Sequence, residues 1–131
     1  MRIISEPEFA AEIRRILDNY KRYIEGCGWV TGPGRSGAIA AVYASHILGI
    51  PFVPQGSTAW RLGKALVIDT AMESGKTLRK MCRSVKNPVG FDPVGLAIYA
   101  EPPRVAFWYE APKPQRYRHE TELRRSFDPV T

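Results

Sequence analysis

A chain of 131 residues suits one domain, and an apolar fraction of 44% is ordinary for a protein with a real core. No apolar run reaches the roughly 20 residues needed to cross a bilayer, and the opening Met-Arg-Ile-Ile turns polar too soon for a secretory leader. The formal charge of +6 suits anionic ligands, from phosphate groups to nucleic acid, without choosing between them.

In chain order, "SEPEFAAEIRRILDNYKRYIEGCG" reads as a helix. Ser5 caps it with Glu8 three residues later, Pro7 sits in the first turn, and Phe9, Ile13, Ile16, Leu17, Tyr20 and Ile24 share one face. Gly26 or Gly28 ends it. Trp29 to Thr31 forms a short strand, "GPGRSG" a loop, and "SGAIAAVYASHIL" a helix of small and apolar residues closed by Gly49. "IPFVP" is a second strand, so the order is strand, loop, helix, strand, and a parallel sheet is implied. "ALVID" is a third strand, apolar throughout as a strand covered on both faces should be. "GKTLRKMCRSV" is the next helix, with Leu78, Met81, Cys82 and Val85 inward, and "VGLAIYA" and "RVAFWY" are two further strands. Residues 113–131 form a basic tail, expected as a solvated segment, with a nucleic-acid arm as the other reading. Cys27 and Cys82 lack metal-ligand spacing, which points to reduced thiols and a cytoplasmic setting. The expectation is an α/β fold: a single domain, 1–131, with a parallel β-sheet flanked by helices.

In such a sheet the ligand crevice lies outside the C-terminal ends of the strands. Two loops reach it, Gly32 to Gly37 and Thr70 to Thr77. Ser74-Gly75-Lys76-Thr77 opens a helix, where free N–H groups and the helix dipole favour phosphate. It is not a P-loop, because the first glycine of that motif would fall at Thr70. Asp69, at the end of its strand, suits ribose hydroxyls or water on Mg²⁺. Glu73 stands just before the phosphate turn, as a candidate base or a plain loop acid.

Together, "ALVIDTAMESGKTL" resembles the phosphoribosyl pyrophosphate (PRPP) motif of the type I phosphoribosyltransferases. The resemblance implies that Ser74, Gly75, Lys76 and Thr77 hold the 5-phosphate and that Asp69, with Thr70, holds ribose and metal. It implies further that Glu73 assists deprotonation of the incoming base. "GRSG" at Gly34, Arg35, Ser36 and Gly37 is similar to the pyrophosphate loop of xanthine-guanine enzymes, at the same distance from "LGIP". Arginine suits it physically, since its planar fork matches a multiply charged anion. "WYEAP" resembles the segment that covers the purine in those enzymes, which implies base contacts from Trp108 and Tyr109. An aromatic plane stacking on a base contributes roughly 1–3 kcal/mol.

The chain departs from the family pattern at four places. Thr70 replaces the second acid. "QGSTAWRLGK" is short for the mobile loop that closes over the site, which implies a reduced hood and leaves Arg61 and Lys64 as the cations to serve pyrophosphate. Glu101 replaces a lysine that reads a 6-oxo group; an acid there repels a carbonyl and accepts from an exocyclic amine, which opens the reading to adenine or another amino-substituted base. No acid follows "WYEAP" to read the 2-position. What the resemblance implies is transfer of phosphoribosyl from PRPP to a nucleobase, a purine foremost, in nucleotide salvage. Mg²⁺ would be the cofactor, pyrophosphate the leaving group, and a homodimer or homotetramer the assembly. The competing reading is a non-catalytic PRPP- or nucleotide-binding regulator on the same fold, with RNA as a candidate partner. A phosphate hydrolase is weaker, since neither loop contains Cys or His.

Overall fold

The computed structural model describes residues 2–72, 74–86, 88, 90, 92–99 and 105–110. The described elements run β1 (Arg2–Ile4), α1 (Glu6–Asn19), α2 (Lys21–Ile24), β2 (Cys27–Thr31), α3 (Gly34–Leu48), a 3₁₀ turn (Trp60–Leu62), β3 (Lys64–Ala71), α4 (Lys76–Ser84), β4 (Val94–Tyr99) and β5 (Val105–Phe107). β2, β3 and β4 form a parallel sheet in that order, and β1 pairs with β5 in a separate parallel pair.

β3 organises the core. Its odd residues Ala65 and Val67 bury against Met81 and Val85 of the α4 layer. Its even residues Leu66 and Ile68 bury with Phe9 and Ile13 of α1 and with Ala40 and Ala44 of α3. A strand covered on both faces has no polar side to show, hence its apolar run. The small residues of α3 let that helix lie close to the sheet. At Gly32, between β2 and α3, a Cβ would stand 2.1 Å from the Gly37 carbonyl oxygen and 2.5 Å from that of Ile68. Only glycine fits that crossing.

The structure revises several sequence expectations. The first helix is two, because Tyr20 leaves helical geometry (φ −106°, ψ 21°) and its side chain is exposed rather than on the apolar face. "IPFVP" is not a full strand but a single bridge, Phe52 beside Val30, since Pro51 and Pro54 have no N–H to give a ladder. "RVAFWY" stops as a strand at Phe107, and Trp108–Glu110 is a turn in which the Glu110 N–H donates to the Phe107 carbonyl at 2.9 Å. β1 was not anticipated. It is three residues long with only Ile4 buried, too short for a periodic signal. No described helix is long and apolar enough to cross a membrane.

Candidate functional site

The parallel strands of the central sheet point their C-terminal ends to one side, and both turns singled out in the sequence lie there. Asp69 and Thr70 occupy the end of β3, on opposite faces because successive side chains alternate. Asp69 looks to the α4 side. Its carboxylate accepts the Thr70 N–H at 2.8 Å. Burial pushes its proton affinity up, while the N–H and the side chain of Thr70 hold it down. Thr70 is 3% exposed and turned into the protein.

Asp69 shares a crevice of about 270 Å³ with Met72, Ser74, Gly75, Lys76 and Thr77. Gly75 makes the turn at φ 78°, a region side-chain-bearing residues avoid. α4 then starts at Lys76 with no side chain capping Gly75, although the Ser74 hydroxyl accepts the Lys76 N–H at 3.3 Å. The amides of Thr77 and Leu78, next in that first turn and without a partner among the described residues, border the same space as the carboxylate. Glu73, Glu101 and the tail 113–131 lie outside the described residues.

The sequence "GPGRSG" was expected as a loop. Gly34 to Gly37 is instead the first turn of α3, with the Gly37 N–H donating to the Pro33 carbonyl at 3.0 Å. Arg35 is exposed on that turn. Two side chains from elsewhere engage it. Gln55 Oε1 accepts the Gly34 N–H at 2.9 Å, and the Ser36 hydroxyl lies 2.7 Å from the Tyr109 hydroxyl. Gln55 also borders a second cavity, of about 390 Å³, with Pro33, Lys76, Thr77, Lys80 and Ser84. Lys76 and Thr77 thus face both cavities. Gln55 escaped the sequence reading, although its place just after the "IPFVP" segment put it in a third loop at the same end of the sheet.

Two placements change the sequence reading. Lys64, assigned to pyrophosphate, begins β3 at the opposite end of the sheet. At about 3.3 Å per residue it stands roughly 16 Å from Asp69. Its stem lies over Gly26 and its charge acts on Cys27. The preceding turn that carries Arg61 is tied down by two indoles. Trp29 Nε1 donates to the Gly63 carbonyl at 3.0 Å, and Trp60 Nε1 donates to that of Val85 at 3.2 Å. Trp108 packs its ring on Phe9 at 5.5 Å, and its backbone N–H donates to the Ile4 carbonyl at 2.9 Å. Tyr109 stacks on Phe107, with 5.6 Å between ring centres and 8° between planes.

Among the described residues no group of three or more His, Cys, Asp or Glu could hold a metal ion. Asp69 can give one oxygen to a Mg²⁺ whose other ligands come from phosphates and water, the usual habit of that ion. The buried side chain of Thr70 faces away and adds none.

In overall form the chain is similar to the xanthine-guanine-hypoxanthine phosphoribosyltransferase of Helicobacter pylori. The TM-score is 0.71 at 11% identity, over 90% of this chain and 99% of that one. The chain has the fold of the type I phosphoribosyltransferases. A purine phosphoribosyltransferase from Pyrococcus horikoshii matches with a TM-score of 0.59 at 17% identity, over 82% of this chain and 94% of that one. A hypothetical protein from Neisseria gonorrhoeae with bound ppGpp matches with a TM-score of 0.53 at 12% identity, over 93% and 97%. No protein-family model and no curated protein matches the sequence.

Proposed function

We propose that this chain is a PRPP-dependent phosphoribosyltransferase that transfers the 5-phosphoribosyl group to a ring nitrogen of a nucleobase, a purine foremost, and releases pyrophosphate. One observation carries the reading: the Asp69 carboxylate and the open first turn of α4 share a single crevice at the C-terminal end of β3. A ligand with hydroxyls and a phosphate a few ångströms apart satisfies both. The fold neighbours that act on purines support the same chemistry.

In this mechanism the amides and hydroxyls of Ser74 to Thr77 fix the 5-phosphate, so binding energy becomes positioning of the ribose. Asp69 holds the ribose hydroxyls. Negative charge building on the departing pyrophosphate is met by Arg35 and the backbone of Gly34 to Gly37. Bound Mg²⁺, held on the protein side by Asp69, would supply further neutralisation of that charge. Glu73 takes the proton of the base. Trp108 and Tyr109 border the base, and Glu101 accepts from an exocyclic amine. A homodimer or homotetramer and a cytoplasmic setting belong to the same proposal.

The second reading is a non-catalytic regulator that binds PRPP or another phosphorylated nucleotide. Two observations favour it: a fold neighbour carries ppGpp, and the indole-anchored turn at Trp60–Leu62 holds Arg61 at the far end of the sheet. The deciding experiment is pyrophosphate release from PRPP and Mg²⁺ across a panel of purine and pyrimidine bases. Base-dependent release is expected. PRPP binding without release from any base overturns the transferase in favour of the regulator. Glu73→Gln should lower turnover by a factor of about 100 or more with little change in PRPP affinity, as removal of a general base does. Unchanged turnover would take Glu73 out of the mechanism.

A further inference from the structure

Two cations expected at the diphosphate end of PRPP stand elsewhere in the fold. Lys64 begins β3 at the opposite end of the sheet, and the indole-anchored turn holds Arg61 there as well. The cavity of about 390 Å³ shows which cations stand closer. One wall is α4, which presents Lys76, Thr77, Lys80 and Ser84, and the other is Pro33 and Gln55. Lys76, Lys80 and Ser84 recur every fourth residue, so they line one flank of the helix, about 6 Å apart along its axis. Gln55 holds the Gly34 N–H at 2.9 Å, so the far wall adjoins the Gly34–Gly37 turn. The cavity thus reaches from one turn to the other, and it shares Lys76 and Thr77 with the Asp69 crevice. No acid is among its lining residues. Lys76 and Lys80 are exposed, and among the described residues neither is in an ion pair, whereas Lys86 pairs with Asp92 at 3.5 Å. The Ser84 hydroxyl donates to the Met81 carbonyl at 2.8 Å, which leaves the two ammonium groups as the strong donors on that flank. Like charges four residues apart on a helix repel, and an anion between them removes that repulsion.

We propose that Lys80, with Lys76, holds the diphosphate end of PRPP in this cavity, so that the leaving group is neutralised from the flank of α4 rather than from the segment before β3. The inference rests on the PRPP reading. Lys76 stands between the two anionic ends and serves both, the 5-phosphate at the α4 turn and the diphosphate along the flank. An ammonium on a flexible stem is a point charge that follows a phosphate oxygen as it moves. As the base nitrogen bonds to the ribose carbon, the bond from that carbon to pyrophosphate breaks. Its electron pair goes to the departing oxygen, and Lys80 meets the charge that builds there.

The test is calorimetric titration of pyrophosphate, ribose 5-phosphate and PRPP, each with Mg²⁺, into the whole chain and three variants. Lys80→Ala should weaken pyrophosphate and PRPP about tenfold, the scale of one hydrogen bond to a charged group. Ribose 5-phosphate should bind as in wild type, because its phosphate sits at the α4 turn. Lys80→Arg keeps the charge and should keep most of the affinity. Arg83→Ala removes the same charge from a position that lines neither cavity, and should change none of the three ligands. Lys80 is exposed, so Lys80→Ala should fold, and with the repulsion from Lys76 gone it should melt no lower than wild type. Three results overturn the role of Lys80 and leave the PRPP reading standing: wild-type pyrophosphate affinity in Lys80→Ala, an equal loss in Arg83→Ala, or an equal loss of ribose 5-phosphate. A wild-type chain that binds none of the three ligands overturns both.

Discussion

The two turns at the top of the sheet are both built from glycine and hydroxyl residues before a helix, yet they differ in what already occupies them. At the start of α4, Ser74, Lys76 and Thr77 are exposed, and the polar contact found there is local, from Ser74 to the Lys76 amide. At the start of α3, the Gly34 amide is taken by Gln55 and the Ser36 hydroxyl by Tyr109, residues 21 and 73 positions away. The first site is ready for an anion. The second is satisfied without one, and an anion there has to displace Gln55. A helix N-terminus is therefore a binding site only to the extent that the rest of the chain leaves its amides alone.

Breaking the open turn should have the larger effect. Thr77→Ala removes a donor that nothing else supplies, so affinity for ribose 5-phosphate and for PRPP should each fall by about tenfold or more, on the scale of a hydrogen bond to a charged group. Equal affinity in calorimetry would mean the phosphate sits elsewhere. At the occupied turn the sign should reverse. Gln55→Ala frees the Gly34 amide, so pyrophosphate and PRPP should bind a few-fold more tightly while ribose 5-phosphate is unchanged. The same variant gives up the cap on α3, so its melting temperature should drop, by the few degrees that about 1 kcal/mol represents. Weaker pyrophosphate binding in Gln55→Ala would make Gln55 a ligand-holding residue and erase the contrast between the turns.

This contrast is only partly visible in the sequence. The open turn is local: a strand, an acid, a glycine at positive φ and a helix start all lie within Ala65 to Lys80, and short-range rules read them. Likewise Gly49, which the sequence marks as a helix stop, closes α3 in the left-handed conformation at φ 69°. The occupied turn depends on partners from distant parts of the chain, which no local rule places. Lys64 shows the same limit from the other side. Its charge and its nearness to Asp69 in sequence suggested a ligand contact, but a strand carries its two ends apart, and Lys64 is at the wrong one. Thr70 lay within reach of simple reasoning. Strand alternation in "ALVIDT" already put Asp69 and Thr70 on opposite faces, so a second acid there could not have shared the crevice with the first.

The smallest expected effect concerns the cost of holding Asp69 ready. Burial raises its proton affinity in the folded chain above that of an exposed carboxylate, and this outweighs the donors from Thr70. The folded state therefore binds a proton more tightly than the unfolded one, and stability falls as pH rises from the ordinary carboxylate range through the raised folded value. Above that window the full penalty is present; below it both states are protonated and the penalty vanishes. Asp69→Asn removes the charge and keeps an acceptor for the Thr70 amide. It should melt slightly above wild type at pH 7, with the difference closing as pH falls through the raised folded value to the ordinary carboxylate range, while PRPP binding is lost. A binding site that is less stable than its neutral variant is the mark of a group kept for a ligand. An Asp69→Asn chain that melts at or below wild type at pH 7 would show instead that Thr70 fully offsets the buried charge, and that Asp69 contributes to holding the end of β3 in place.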